Sequence, residues 1–530
     1  MKTAALIPNF DYFQCLKSAP VGACLSNPSL GFKTCFLVCA LCLLTALPVY
    51  AESVGSIQQH SITTKRFNAD VDSAFLGAGV QAFDLNLPTI QIDLNASAEG
   101  AHKTGVVYQL PKPIAAAQLF WERVNGGYVA RVHLFSEQAK RLRYHLLVGQ
   151  VVSHLTFRVQ GNENASVLTP VDSDTVQDGN IWLPVTNGNQ ADLEIFADAT
   201  TSPETLLSID AVSVIVEEIL GVKAKNKGYA EQKEYDLACA GSLTEYSVLE
   251  QAASATALIS FVKNGSSYVC TGTLLNDKNS SNTPWFATAN HCIGDQSTAN
   301  TATFEWFFQA TSCGGSKTDG RYAQTYGGAK LLWSDSYLEG SFLKLNAQPP
   351  NGVTFMGWDT NIQVGEAIWG VHHPSSDHTM VSFGKVTALG RTMRDSDSGK
   401  IHFVNRIDYI EGGTEQGSSG SGLFSIVNGA ASWKGTLFGG PGSNYQASYY
   451  SNFDSYYPYI KTWLEGSANT SGIDQLYSQY SSYFGRKSGG EYICYVEYTC
   501  QRFDTGKLIA INNTGGTVYW FNGVQWWLYK

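Results

Sequence analysis

The chain has 530 residues, of which 15% are charged, and a formal net charge of −10. That length exceeds what one hydrophobic core supports and predicts about three domains. The acidic balance, with no basic cluster interleaved with aromatics, excludes nucleic acid as a partner.

Residues 1–51 read as a secretory signal. Lys33 precedes the apolar run from Cys35 to Leu47, and Val49-Tyr50-Ala51 offers small residues for cleavage. The run is shorter than a membrane-spanning helix requires, so no membrane span is expected in the mature form. The 32 residues ahead of it are long for a signal's basic head, which raises the alternative of an internal start near Val21 or Leu25. The expected location is extracellular, with a periplasmic stage on the way.

Residues 52–230 contain no cysteine and show strand-like alternation, as in Tyr128–Leu134 and Leu155–Val159. Asn125-Gly126-Gly127 and Asn187-Gly188-Asn189 are turn signals between such runs. The expectation is a β-sandwich with no motif that carries chemistry, and His145 and His154 read as structural. The stretch 221–234 is the most charged part of the middle and reads as an exposed linker, hence a site for a proteolytic nick.

Residues 231–476 hold short strands separated by Gly, Asn and Ser, which suits two β-barrels, with a closing helix over Tyr459–Leu464. They also carry two motifs. Thr288-Ala289-Asn290-His291-Cys292 sets an imidazole beside a cysteine, with Cys270 about twenty residues earlier, and suggests a loop stapled around a base. Gly417-Ser418-Ser419-Gly420-Ser421 sets a serine between glycines. Those glycines allow backbone angles that aim the amides of Gly417 and Ser419 into one small cavity, an oxyanion hole beside Ser419 Oγ. A serine hydroxyl is a weak nucleophile at neutral pH and requires such a base.

With the signal removed, six cysteines remain: Cys239, Cys270, Cys292, Cys313, Cys494 and Cys500. An even number fits three disulfides outside the cytoplasm. These six form no C-x-x-C pair and the chain has no H-E-x-x-H, so no metal and no cofactor are expected. On a strand, His372 and His373 point to opposite faces and cannot share an ion.

Residues 477–530 form a small aromatic-rich module. Asn522-Gly523 between apolar runs is a hairpin signal. Trp520, Trp526 and Trp527 either stack on a glycan or surface ligand or form the packed core of a tiny domain held by Cys494–Cys500. The small size favours the core.

From Asp236 to about Leu476 the chain resembles the bacterial lysyl-endopeptidase branch of the chymotrypsin-like serine proteases. The resemblance runs through Cys270-Thr271-Gly272-Thr273-Leu274, Ala289-Asn290-His291-Cys292, Gly357-Trp358-Asp359, His372-His373-Pro374, Gly412-Gly413-Thr414-Glu415, Gly417–Ser421 and Gly435–Pro441. The region around Trp121–Phe157 and Ile181–Pro184 resembles that branch's pro-region. The resemblance implies an all-β double-barrel serine endopeptidase made as a zymogen, acting on protein or peptide substrates and paired with its own pro-region. It implies the disulfides Cys270–Cys292 and Cys239–Cys313, His291 as base and Ser419 as nucleophile.

Two positions depart from the branch. Register places Glu339 where the branch has the aspartate that orients the histidine, with Asp335 as its competitor. The position of the branch's lysine-binding aspartate is taken by Ala447, and the trypsin-like alternative by Gly413. With Phe438 and Gly439 these define a neutral pocket, and the enzyme is expected not to prefer lysine or arginine. A shift of register that brought in Asp454 would restore a basic preference. The competing reading is an inactive protease-fold protein that binds carbohydrate or a surface through its C-terminal aromatics. An α/β-hydrolase lacks its G-x-S-x-G elbow.

Overall fold

The computed structural model describes residues 58–59, 79–94, 101–148, 155–163, 179–199, 202–203, 207–216, 235–243, 246–395, 399–440, 447–465, 483–484, 492–495, 498–503, 505–512, 518–522 and 526–529. The signal expected at 1–51 and the charged stretch 221–234 lie outside them. No described helix is long and apolar enough to cross a membrane.

Alternating Val, Leu and Ile positions make the upstream region two packed sheets. One sheet orders the strands Ala82–Asn86, Gly127–Phe135, Gln190–Asp198 and Leu155–Gly161. The other contains His102–Ala115, Leu207–Ile215, Arg141–Val148 and Asn180–Trp182. Leu134, Leu142, Leu193 and Ile209 fill the space between, each with no solvent exposure. His145 is bonded through Nδ1 to Asp210 at 2.7 Å and stacks on Trp182, a structural role.

The second sheet does not stop at the edge of this sandwich. His102–Ala115 pairs antiparallel with Ser266–Leu275, so one twelve-stranded sheet runs from the upstream region into the first barrel. That barrel comprises Thr256–Lys263, Ser266–Leu275, Trp285–Thr288, Thr303–Trp306, Ala329–Asp335 and Gly340–Leu345.

The second barrel follows the order Met380–Arg394, Ala367–His372, Gly422–Val427, Ala430–Gly439, Ala447–Ser451 and Ile401–Glu411. Pairing of its last strand with its first closes the ring. The helix expected over Tyr459–Leu464 begins earlier and spans Phe453–Leu464, because Asn452 caps it by accepting from the Ser455 amide.

The C-terminal strands form a five-stranded antiparallel sheet in sequence order. Phe521 pairs with Trp526, so the connection at Asn522 has four residues rather than a two-residue Asn-Gly turn. Trp520 packs edge-on to Tyr483 and Phe484 against a small buried cluster. That is a core position. The side chains of Trp526 and Trp527 lie outside the described set.

Trp358 and Trp433 are fully buried in the cluster that joins elements of both barrels, and both meet Phe453 of the closing helix. Trp433→Ala would leave a large cavity there and is expected to cost about 3–5 kcal/mol. Denaturant unfolding of the uncut Ser419→Ala chain measures it; a loss below about 1 kcal/mol would mean that the two barrels do not depend on this contact.

Candidate active site

His291 follows the short Trp285–Thr288 strand, in a loop fixed from several sides. Its neighbour Cys292 is joined to Cys270. Lys263 Nζ donates to the His291 carbonyl at 2.9 Å, and Ser341 Oγ to the Ile293 carbonyl at 2.6 Å. The sulfurs of Cys270 and Cys292 lie within 4.8 Å of the imidazole, but they are bonded to each other and offer no metal site. The second disulfide, Cys239–Cys313, ties the start of this region to the first barrel. Cys500 is disulfide-bonded, and the Cys494 side chain lies outside the described residues.

His291 Nδ1 lies 2.8 Å from Glu339 Oε2, with both side chains almost fully buried. Glu339 sits at the tip between Ala329–Asp335 and Gly340–Leu345 with φ +51. A left-handed backbone is unfavourable for glutamate, by roughly 1–2 kcal/mol. From that conformation the side chain reaches the imidazole. Asp335 is otherwise engaged: its Oδ1 accepts from the amides of Tyr337 and Leu338 and closes the turn. With Nδ1–H donating to the carboxylate, Nε2 is left to exchange a proton. That atom is buried and has no hydrogen-bond partner.

The Gln416–Ser421 loop packs directly on the histidine strand. A Cβ on Gly420 would fall 2.2 Å from Thr288 Oγ1 and 2.9 Å from the Ala289 amide, so only glycine fits. Thr271 pins the loop twice: its amide donates to the Ser419 carbonyl at 2.8 Å, and its hydroxyl to the Gly417 carbonyl at 2.9 Å. The orientation of the Gly417 and Ser419 amides follows from their peptide planes. The Gln416 carbonyl accepts from the Ser375 amide and the Ser418 carbonyl from the Ser421 amide. In a trans peptide the N–H points opposite to the C=O, so the amides of Gly417 and Ser419 each face away from those partners.

A buried imidazole braces this loop, a role the sequence did not disclose. Ser382 Oγ donates to the Gly413 carbonyl at 2.7 Å, so it accepts from His372 Nε2–H at 3.0 Å. His372 Nδ1 then accepts from Ser418 Oγ at 2.9 Å, and Ser418 Oγ accepts from the Glu415 amide. Every donor in the chain has an acceptor. His373 faces elsewhere: its amide donates to Thr271 Oγ1 and its Nδ1 to the Asp377 carbonyl.

His402 was not singled out from sequence either. Its Nδ1 donates to the Ser336 carbonyl at 2.8 Å and lies 3.6 Å from Glu339 Oε1. Its ring lies against Phe438 at 4.4 Å, and Phe438 meets His291 edge-on at 5.8 Å. No motif marks a single histidine ahead of Phe403-Val404.

Among the expected pocket residues, Gly413 and Ala447 are buried, while Phe438 and Gly439 are half-exposed. The hydroxyls of Thr414 and Ser448, the residues that follow Gly413 and Ala447, meet at 2.7 Å, as do those of Tyr409 and Tyr450. Burial pushes both phenols up, Tyr450 to about 12, so these groups are neutral. Asp454 is exposed in the first turn of the closing helix. Residues 441–446 lie outside the described set, and their sequence contains no acid.

Comparison with known proteins places these features in a family. Residues 93–216 match the family model of the lysyl endopeptidase N-terminal domain, and residues 227–457 that of the lysyl endopeptidase C-terminal domain. Lysyl endopeptidase of Pseudomonas aeruginosa is 32% identical over 296 residues, which are 53% of this chain and 63% of that protein. The match thus spans less than two thirds of that relative's length. Among solved structures, Deg5 is 15% identical with a TM-score of 0.29 and covers 41% of this chain and 92% of its own. The protease Anisep from Arthrobacter nicotinovorans is 18% identical with a TM-score of 0.28, over 39% of this chain and 95% of its own.

Burial lowers the pKa of His372 to about 3, helped by His373, and of His373 and His378 to about 4. A base with a depressed folded pKa stabilises the fold fully above its unfolded value near 6.5. That contribution is lost as pH falls from there toward 3–4. The denaturation midpoint of the Ser419→Ala chain should therefore decline between pH 7 and 5, and less steeply in His372→Gln. A flat midpoint over that interval would contradict the buried neutral imidazoles.

Proposed function

We infer that this chain, which belongs to the lysyl-endopeptidase-like branch of the chymotrypsin-fold serine proteases, is a secreted serine endopeptidase made as a zymogen. The observation that carries the reading is the 2.8 Å contact between His291 Nδ1 and Glu339, beside a serine loop pinned to the histidine strand. Ser419 Oγ attacks the scissile carbonyl and gives its proton to His291 Nε2. Glu339 holds the tautomer and stabilises the imidazolium. The amides of Gly417 and Ser419 take up the developing oxyanion, where one such donor is typically worth about 3 kcal/mol. His291 then protonates the leaving amine, and water releases the acyl group by the same steps in reverse.

The oxyanion loop needs no inserted N-terminus in this reading. The residue before the nucleophile is Ser418, held by His372, so no carboxylate there awaits a new ammonium group. Maturation then consists of freeing the cleft rather than building it.

A fluorophosphonate probe tests the reading: the cut chain should label and Ser419→Ala should not, and failure of the cut chain to label would sink it. Glu339→Gln should keep the fold and lower kcat by roughly 10³–10⁴-fold through the wrong tautomer. An unchanged kcat would remove Glu339 from the mechanism.

The pocket supports a neutral residue on the acyl side of the scissile bond. The relative carries "lysyl" in its name, whereas here Ala447 stands where that branch has its aspartate, and its neighbour Ser448 pairs with the neutral Thr414 hydroxyl. A buried ammonium without a carboxylate is strongly disfavoured. Profiling on a peptide library should show small or apolar residues favoured over lysine, with Ala447→Asp shifting preference toward lysine. Preferred cleavage after lysine by the unaltered enzyme would refute the neutral pocket.

A further inference from the structure

The Ser266–Leu275 strand is paired along one edge by Thr256–Lys263. Its other edge is divided. On this edge Thr273–Leu275 pair with Trp285–Ala287, and Ser266–Val269 pair with the upstream strand through His102, Lys103, Gly105 and Val106. Between these halves stand Cys270 and Thr271, the residues that hold the histidine loop and the serine loop. The upstream strand therefore takes the open half of an edge that ends at the catalytic groups. An unpaired edge of this kind accepts an extended peptide by backbone hydrogen bonds.

The contacts around this ladder are those of a built interface. Ala101 is buried in the first barrel's core, in the same cluster as Cys270 and Cys292. His102 Nδ1 lies 3.3 Å from Gln416 Oε1, on the residue just before the Gly417 amide. Ser213 Oγ and Ser267 Oγ meet at 2.6 Å, and Gln324 exchanges two hydrogen bonds with the Val185 backbone. Farther from the site, Arg141 Nη2 donates to both oxygens of Glu305 at 2.8 and 2.9 Å, with both side chains almost fully buried. Ser260 and Tyr322 donate to the same carboxylate. Removing one partner of such a pair leaves a buried charge uncompensated.

We propose that residues 101–106 occupy the leaving-group half of the substrate cleft as an added strand, and that the Arg141–Glu305 pair locks them there after the chain is cut. The surface they cover is the site for the extended segment of a substrate on the amine side of the scissile bond. Recognition there is through backbone, so it tolerates many sequences. The upstream region inhibits by competing for that edge, and among the described residues no upstream strand pairs with the Ala430–Gly439 strand of the second barrel. This rests on the serine-protease reading and deepens it.

The test uses the full chain with a recognition site for an unrelated sequence-specific protease placed within 221–228, cut and kept as the nicked complex. A small fluorophosphonate should label Ser419 in this complex. An internally quenched peptide extending three residues beyond the scissile bond should be cleaved slowly, with specific activity rising at least about tenfold on dilution as the fragment leaves. Arg141→Met should move that rise to higher protein concentration, and Glu305→Gln should do the same if Arg141→Met folds poorly. Extended-peptide activity independent of concentration, with the fragment still co-eluting, would overturn the proposal. So would equal blockage of the small probe and the extended peptide, since the whole site would then be closed. Absence of labelling at every dilution would instead strike the serine-protease reading itself.

Discussion

Thr271 carries more of the site than any residue outside the reacting groups. Its amide and hydroxyl hold the carbonyls of Ser419 and Gly417, and its own hydroxyl accepts the His373 amide. Its carbonyl accepts from Thr288 Oγ1, two residues before the disulfide-bearing histidine loop begins to turn. One β-strand residue thus fixes nucleophile loop, histidine strand and second barrel in a single frame. A strand is well suited to this, since its backbone and side chain are both stiff at a β-branched residue. The geometry of the candidate site is a consequence of strand pairing rather than of flexible loops meeting.

The same economy explains the neutral brace behind the oxyanion amides. A charged pair at that depth would carry a desolvation cost of several kcal/mol per ion. The chain from the Glu415 amide through Ser418, His372 and Ser382 to the Gly413 carbonyl uses only neutral groups, each satisfied once. Neutrality depends on burial keeping His372 unprotonated. The loop is therefore rigid where His372 is neutral, and its support weakens as that imidazole gains a proton.

Much of this was legible in the chain, for local reasons. The spacing of Cys270, His291 and Cys292 and the glycines around Ser419 are short-range signals, because tight loops restrict which residues fit. Alternation read the sandwich and barrels correctly as β-structure. Glu339 was singled out only through register against Ser341–Asn346, and in the structure it is Glu339 that meets His291 while Asp335 closes the turn. The roles of His372 and His402 were not legible, since each acts across a distance that no spacing encodes: Ser418 lies 46 residues from His372. The pairing of His102–Ala115 with Ser266–Leu275 was hidden for the same reason, because edge strands advertise an open edge but not its occupant.

Glu339 shows how these layers combine. A glutamate here is one methylene too long for a backbone placed as an aspartate would need, and the chain answers with a left-handed residue at the hairpin tip. Such a conformation persists only where its surroundings over-determine it. Here the Asp335 turn fixes the preceding residues, Thr436 Oγ1 approaches the Glu339 carbonyl at 3.4 Å, and His402 stands 3.6 Å from the second carboxylate oxygen. Phe438 touches both imidazoles, His402 at 4.4 Å and His291 edge-on at 5.8 Å. The longer acid, the left-handed tip and the His402–Phe438 pair thus meet around one carboxylate, His402 bearing on the oxygen that His291 does not use.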